Sequence, residues 1–109
     1  MVLPDTSIWI EYFRGKDPVL SSLLDIGRKG RLLALEPVFA ELLQGARGRR
    51  EVDLILQVWD STPHLEESGL WLRAGDLARE HRLASKGVGL IDAVIWAGAE
   101  IVKCPVWTL

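Results

Sequence analysis

Two patterns alternate along this chain: short continuous apolar runs, and longer stretches with apolar residues at helical spacing. Val2-Leu3-Pro4 is a run that reads as a strand, with Pro4, which has no N–H for a ladder, at its end. Asp5-Thr6-Ser7 reads as a strand-to-helix junction into Ile8-Trp9-Ile10-Glu11-Tyr12-Phe13, stopped near Gly15. Asp17-Pro18 sets a capping residue before a proline at the first helical position. Val19, Leu20, Leu23 and Leu24 then follow at helical spacing until Gly27 or Gly30. Residues 32–35 form a second apolar run, and Glu36-Pro37 opens a helix carrying Val38, Phe39, Leu42 and Leu43 as far as Gly45. Residues 51–59 predict a helix with Val52, Ile55, Leu56 and Trp59 on one face, and 62–65 a linker or weak third strand. Residues 70–83 predict an amphipathic helix, 90–102 an almost wholly apolar one behind Gly87 and Gly89, and 105–109 a last strand. Such alternation predicts the α/β class: a small parallel sheet covered by helices on both faces, without internal repeats.

Composition narrows this picture. The chain has 109 residues, which suits one domain spanning 1–109. Apolar residues make up 49% and ten glycines come on top, above the roughly 45–50% of an ordinary chain with glycine counted. The excess predicts apolar surface buried against a partner, in the first place a second copy of the chain. Disorder is excluded by the same numbers. Cys104 is the only cysteine, so no disulfide framework exists, and with two histidines there is no ligand set for a structural zinc. A net charge of −2 offers no global attraction to nucleic acid or to an anionic membrane, so any nucleic-acid binding must use local patches. No secretory signal pattern and no apolar run of membrane-spanning length is present, so a cytoplasmic protein without membrane association is expected.

Three of the fifteen acids stand in apolar surroundings. Asp5 is the only charge in the first ten residues, Glu41 the only one between Pro37 and Ala46, and Asp92 the only one between Gly87 and Ala99. A carboxylate drawn into an apolar layer must be paired, hydrogen-bonded, protonated or bound to a metal. Each has a plainer reading. Asp5 suits a helix N-cap, Asp92 lies in a first helical turn where the macrodipole favours an anion, and Glu41 falls at the edge of its apolar stripe. Taken together, Asp5 at a strand's carboxyl end and Asp92 at a helix start lie where open parallel sheets collect ligands. Three such acids would repel one another unless a divalent cation sat among them. All-oxygen ligands suit Mg²⁺ or Mn²⁺, ions that activate water and steady a phosphodiester transition state.

The segments Leu-Pro-Asp-Thr-Ser-Ile-Trp-Ile, Val-Phe-Ala-Glu-Leu-Leu-Gln-Gly-Ala and Gly-Val-Gly-Leu-Ile-Asp-Ala-Val-Ile-Trp-Ala resemble, in order and over the whole chain, the PIN-domain family, and within it the VapC toxins of toxin–antitoxin pairs. The resemblance implies a three-layer α/β/α fold and a metal-dependent endoribonuclease acting on RNA, dimeric and silenced by a cognate antitoxin. It assigns Asp5, Glu41 and Asp92 to the catalytic metal site for Mg²⁺ or Mn²⁺, with Thr6, Ser7 and Thr108 as supporting hydroxyls. The family pattern also places a fourth acid just after the threonine of the last strand, where this sequence ends in Thr108-Leu109. A second metal is then not expected, and a non-catalytic, degenerate PIN domain serving as a binding or dimerisation module is the alternative. A receiver-like phosphoacceptor fits less well: it needs paired acids after the first strand and a lysine after the last, and Asp5 stands alone.

Arg47, Arg49 and Arg50 follow the Glu41 segment and are the better candidates for RNA phosphates if the acids hold metal, although taken alone such a cluster is more often solvated loop charge. The five tryptophans are spread over five elements and read mostly as core or dimer contacts. His64 and His81 read as surface residues, and Cys104 as a buried, inert thiol.

Overall fold

Strands β1 (Leu3–Pro4) and β2 (Val106–Trp107) run parallel, with Leu3 opposite Val106 and Pro4 opposite Trp107, in the computed structural model, which describes residues 1–109. Single parallel bridges, Val2 with Leu32 and Ala34 with His64, extend the sheet to two further segments. The last strand therefore lies beside the first, the 32–34 segment on the other side of the first, and residue 64 beyond that. The expected second and third strands exist only as these bridges: Leu33 N–H donates to Val2, and Ala34 N–H donates to Pro63.

Six α-helices surround this sheet: α1 (Thr6–Phe13), α2 (Val19–Arg28), α3 (Glu36–Gln44), α4 (Arg49–Ser61), α5 (Leu70–Glu80) and α6 (Leu90–Val102). Helix α1 packs on α2 and α3, α3 on α4, and α6 on α5, α3 and β2. A single cluster of buried apolar residues joins them, among them Leu3, Trp9, Leu35, Val38, Leu77 and Val94. An aromatic file ties α1, α3 and α4 together. Trp9, 1% exposed, lies 4.9 Å from Phe39, Phe39 lies 5.1 Å from Trp59, and Trp59 stacks on His64 at 3.5 Å. Edge-to-face and offset pairs add about 0.5–1.5 kcal/mol each beyond area burial. The file also sets the spacing between α1 and α3, which matters for the site.

Several local expectations need correcting. Helix α2 begins at Val19 with Pro18 at the cap position, and Asp17 reaches over it to accept from the Ser21 N–H at 2.9 Å and the Ser21 hydroxyl at 2.6 Å. On α4 the buried face is Ile55 with Val52, Val58 and Trp59, while Leu56 turns to solvent, because the wider spacing of 52, 55, 58 and 59 meets α3. Helix α5 ends at Glu80, three residues before the predicted end, where Arg82 takes a left-handed backbone and drops Leu83 into the core. His64 is half-buried and its Nε2 bonds the Trp59 carbonyl at 2.6 Å, closing the carboxyl end of α4. Helix α6 has its predicted bounds. Gly98 allows its close approach to the sheet, since a Cβ there would lie 3.3 Å from Leu65 Cδ2 and 3.4 Å from Leu35 Cδ1. No helix is long and apolar enough to cross a membrane.

Candidate active site

Asp5 follows directly on β1, and its backbone N–H donates to the Trp107 carbonyl at 2.9 Å, so the carboxyl ends of β1 and β2 meet at this residue. Its side chain caps α1: Oδ1 accepts from the Ile8 N–H at 3.3 Å and from the Ser7 hydroxyl. Ser7 in turn accepts from the Leu109 N–H at 3.3 Å, tying the first turn of α1 to the chain just past β2. Thr108, the third expected hydroxyl, is exposed next to that amide.

Thr6 faces the other way. Its hydroxyl donates to Glu41 Oε1 at 2.8 Å, across 35 residues of sequence. The first turn of α1 thus braces two acids, Asp5 through Ser7 and Glu41 through Thr6. This geometry depends on α1 and α3 packing side by side on the aromatic file. Asp92 occupies the third position of α6, in the turn where the helix dipole favours an anion, and has no side-chain partner.

The acids are not drawn into the apolar interior. No charged or polar residue of the chain is buried: Asp5 is half-exposed, and Glu41 and Asp92 are exposed. Their isolation in sequence reflects apolar neighbours that turn inward while the carboxylates stay in water. No three carboxylate, histidine or cysteine side chains stand close enough to form a cage for a metal ion. The three acids are thus not gathered around one point: like charges repel, and the α1 hydroxyls hold two of them in place. In kind, the oxygen donors of Asp5, Glu41 and Asp92 fit a hard divalent cation. In arrangement, Asp5 and Glu41 are each held by a hydroxyl of the first turn of α1, and Asp92 stands on a separate helix.

A cleft of about 450 Å³ opens beside Thr6 and Glu41, between α1, α3 and α4. Ile10, Phe13 and Leu42 form part of its wall, and Arg14 and Arg47 line it. Arg14 was not among the sequence candidates. The signal for it was available: Thr6, Ile10 and Arg14 recur every four residues, so they share one face of α1 and its C-cap. Of the three expected basic residues, Arg47 lines this cleft, whereas Arg49 is taken up by Asp53 at 3.0 Å. Arg50 is exposed and makes no ion pair. Cys104 is half-buried, and burial pushes its thiol above the ordinary value, in keeping with an inert side chain.

The profile of the PIN domain family matches residues 2–109. The chain is 32% identical to Ribonuclease VapC10 of Mycobacterium tuberculosis over 111 residues, covering all of this chain and 82% of that protein, in strains CDC 1551 / Oshkosh and ATCC 25618 / H37Rv alike. Among solved structures it superposes with a TM-score of 0.75 on a chain of a toxin-antitoxin complex from Klebsiella pneumoniae, at 19% identity and with 99% and 85% of the two chains covered. A TM-score of 0.74 relates it to a chain of VapBC2 from Rickettsia felis bound to a DNA fragment from their promoter, at 19% identity and with 99% and 86% covered. At that identity the likeness to the solved structures is one of fold: a small parallel sheet wrapped by helices.

Proposed function

Because the chain belongs to the PIN-domain family, we propose that it is an Mg²⁺- or Mn²⁺-dependent endoribonuclease, the toxin of a toxin–antitoxin pair, acting in the cytoplasm. The observation that supports this reading is the double brace on the first turn of α1, in which adjacent hydroxyls hold Asp5, at the carboxyl end of β1, and Glu41 on α3. The names of the relatives, a ribonuclease and two toxin–antitoxin assemblies, support it.

Asp5, Glu41 and Asp92, which stand too far apart to form a cage by themselves, would have to close around the divalent ion, which when bound supplies a water nucleophile and charge stabilisation at the phosphodiester. Within the chain, Ser7 fixes the Asp5 carboxylate so that one oxygen stays bonded and the other is left for a ligand. Thr6 does the same for Glu41. Holding carboxylates in advance lowers the reorganisation needed when charge develops on the phosphate. Arg47 and Arg50 would meet RNA phosphates, with Arg49 adding to the local positive field, and Thr108 would be the third supporting hydroxyl beside Thr6 and Ser7.

A second copy is expected to pack on α5, where Trp71 and Leu72 are 50% and 81% exposed. The antitoxin is expected to dock near the acids and offer a basic side chain, because an arginine can fork to a carboxylate. The test is RNA cleavage by purified protein in Mg²⁺ or Mn²⁺, with and without chelator, and with added antitoxin. Metal-dependent cleavage that the antitoxin silences is the expected result. A protein that binds partners but never cleaves RNA at any metal concentration is the degenerate module instead. Sedimentation as a clean monomer at micromolar concentration would remove the dimer.

A further inference from the structure

The cleft between α1, α3 and α4 holds more chemistry than the acids use. Ile10, Phe13, Leu42 and Leu54 give it an apolar wall, and Arg14 and Arg47 line it with no carboxylate in ion-pairing range. Glu51, which also lines it, is engaged by the Arg47 backbone N–H at 2.7 Å. The volume, about 450 Å³, lies within the range of small-ligand sites. Its lining also includes Thr6 and Glu41, the pair joined at 2.8 Å, so one of the three candidate acids faces the same cleft as the two arginines.

A wall that can take a flat apolar group, together with two guanidinium groups free to fork to an anion, matches the two halves of a nucleotide: a base with a π-face and a phosphate. We propose that this cleft is a subsite for the nucleotide flanking the scissile phosphate of single-stranded RNA, with Arg14 and Arg47 gripping its phosphate. The proposal rests on the ribonuclease reading above. The presence of the candidate acid Glu41 in the same lining as Arg14 and Arg47 favours RNA over a protein segment as occupant. A strand held at Glu41 would have Arg14 within reach of a neighbouring phosphate, since Arg14 lies two turns from Thr6 on the same face, about 12 Å along the axis. Arg14 is then a substrate-binding residue, and Arg47 acts with it.

The experiment compares Arg14→Gln, Arg47→Gln and Arg14→Lys with Arg79→Gln, which removes the same charge from α5, where Arg79 pairs with Asp76 at 3.0 Å. All these side chains are exposed, and circular dichroism checks that each variant folds. A short fluorescein-labelled single-stranded RNA is titrated by anisotropy in chelator over a range of salt, and cleavage kinetics are measured in Mg²⁺. Arg14→Gln and Arg47→Gln are each expected to weaken binding about three- to tenfold and to raise KM with kcat kept. Each should also lower the slope of log affinity against log salt by about 0.7. Arg14→Lys should restore the slope and part of the affinity, since a lysine keeps the charge but not the fork. Arg79→Gln should match the parent. A parent that cleaves RNA, with both cleft variants indistinguishable from Arg79→Gln, overturns the subsite, leaves the cleft to a protein segment and leaves the nuclease reading standing. A parent that neither binds nor cleaves RNA overturns both.

Discussion

Where α1 meets α3, Asp5 and Glu41 each accept a hydrogen bond from a hydroxyl of the same helical turn, whereas Asp92 on α6 stands exposed with no side-chain partner. The two regions also differ in how they are secured. The first is pinned by the aromatic file and by the Ser7–Leu109 link. The second rests on small residues, Ala93, Ala97 and Gly98, packed against the sheet, with surface ion pairs such as Arg73–Glu100 at 3.6 Å tying α5 to α6. Exposed pairs of that kind contribute about 0–1 kcal/mol. The contrast teaches that two of the three candidate acids are held by the protein, whereas the Asp92 side chain has no hydrogen-bond partner to orient it.

The sharpest way to break the comparison is to neutralise one acid on each side. Under the ribonuclease reading, Asp5→Asn and Asp92→Asn each lower cleavage about 100-fold or more at limiting Mg²⁺, since loss of supporting groups alone costs about 10–100-fold at metal sites. Either variant cleaving at the parental rate would remove that acid from the site. Removing a brace comes next. Thr6→Val leaves Glu41 in place but unheld and is expected to cost about tenfold in cleavage, with the far-ultraviolet spectrum unchanged. No equivalent variant exists for Asp92, so an unchanged rate in Thr6→Val would make the two sides alike.

Stability separates the sides less strongly. Asp5→Ala removes an N-cap and should cost about 1 kcal/mol in urea unfolding, whereas Asp5→Asn should cost a few tenths, because asparagine caps about as well. Asp92→Ala loses a macrodipole contact worth about 0.3–1 kcal/mol. The smallest effect belongs to Asp17, where the same hydroxyl–carboxylate contact occurs away from the site. Hydrogen bonds from Ser21 hold its carboxyl below the ordinary value of 3.8. A depressed folded-state value gives stability that is present above 3.8 and lost as pH falls through the folded value. Ser21→Ala should therefore flatten the acid limb of the stability curve slightly below pH 4 and leave cleavage unaltered.

Much of the architecture was legible because it is local. The strand-then-helix alternation, the Asp5 junction, the start of α3 at Glu36-Pro37 and both ends of α6 depend on spacings of two to four residues and on caps. The end of α5 was not, because Leu83 continues the apolar period after the backbone has left the helix at Arg82. The candidate acids stand out by their isolation among apolar neighbours, but isolation in sequence is not burial, since Asp5 is half-exposed and Glu41 and Asp92 are exposed. Periodicity reports which neighbours turn inward and leaves the charged side chain free to stay in water.

The sequence by itself determined the order of elements, the three acids and the hydroxyls beside the first of them, because each is written in adjacent residues. Only the tertiary structure decided that Thr6 holds Glu41 across 35 positions and that Ser7 meets Leu109 across 102. It also decided that Arg14 shares a cleft with Arg47 while Arg49 is spent on Asp53, and that His64 closes α4 rather than lying free. These pairings depend on how α1, α3 and α4 pack and on the last strand joining the first. Those are contacts between parts of the chain whose distance apart no local pattern encodes.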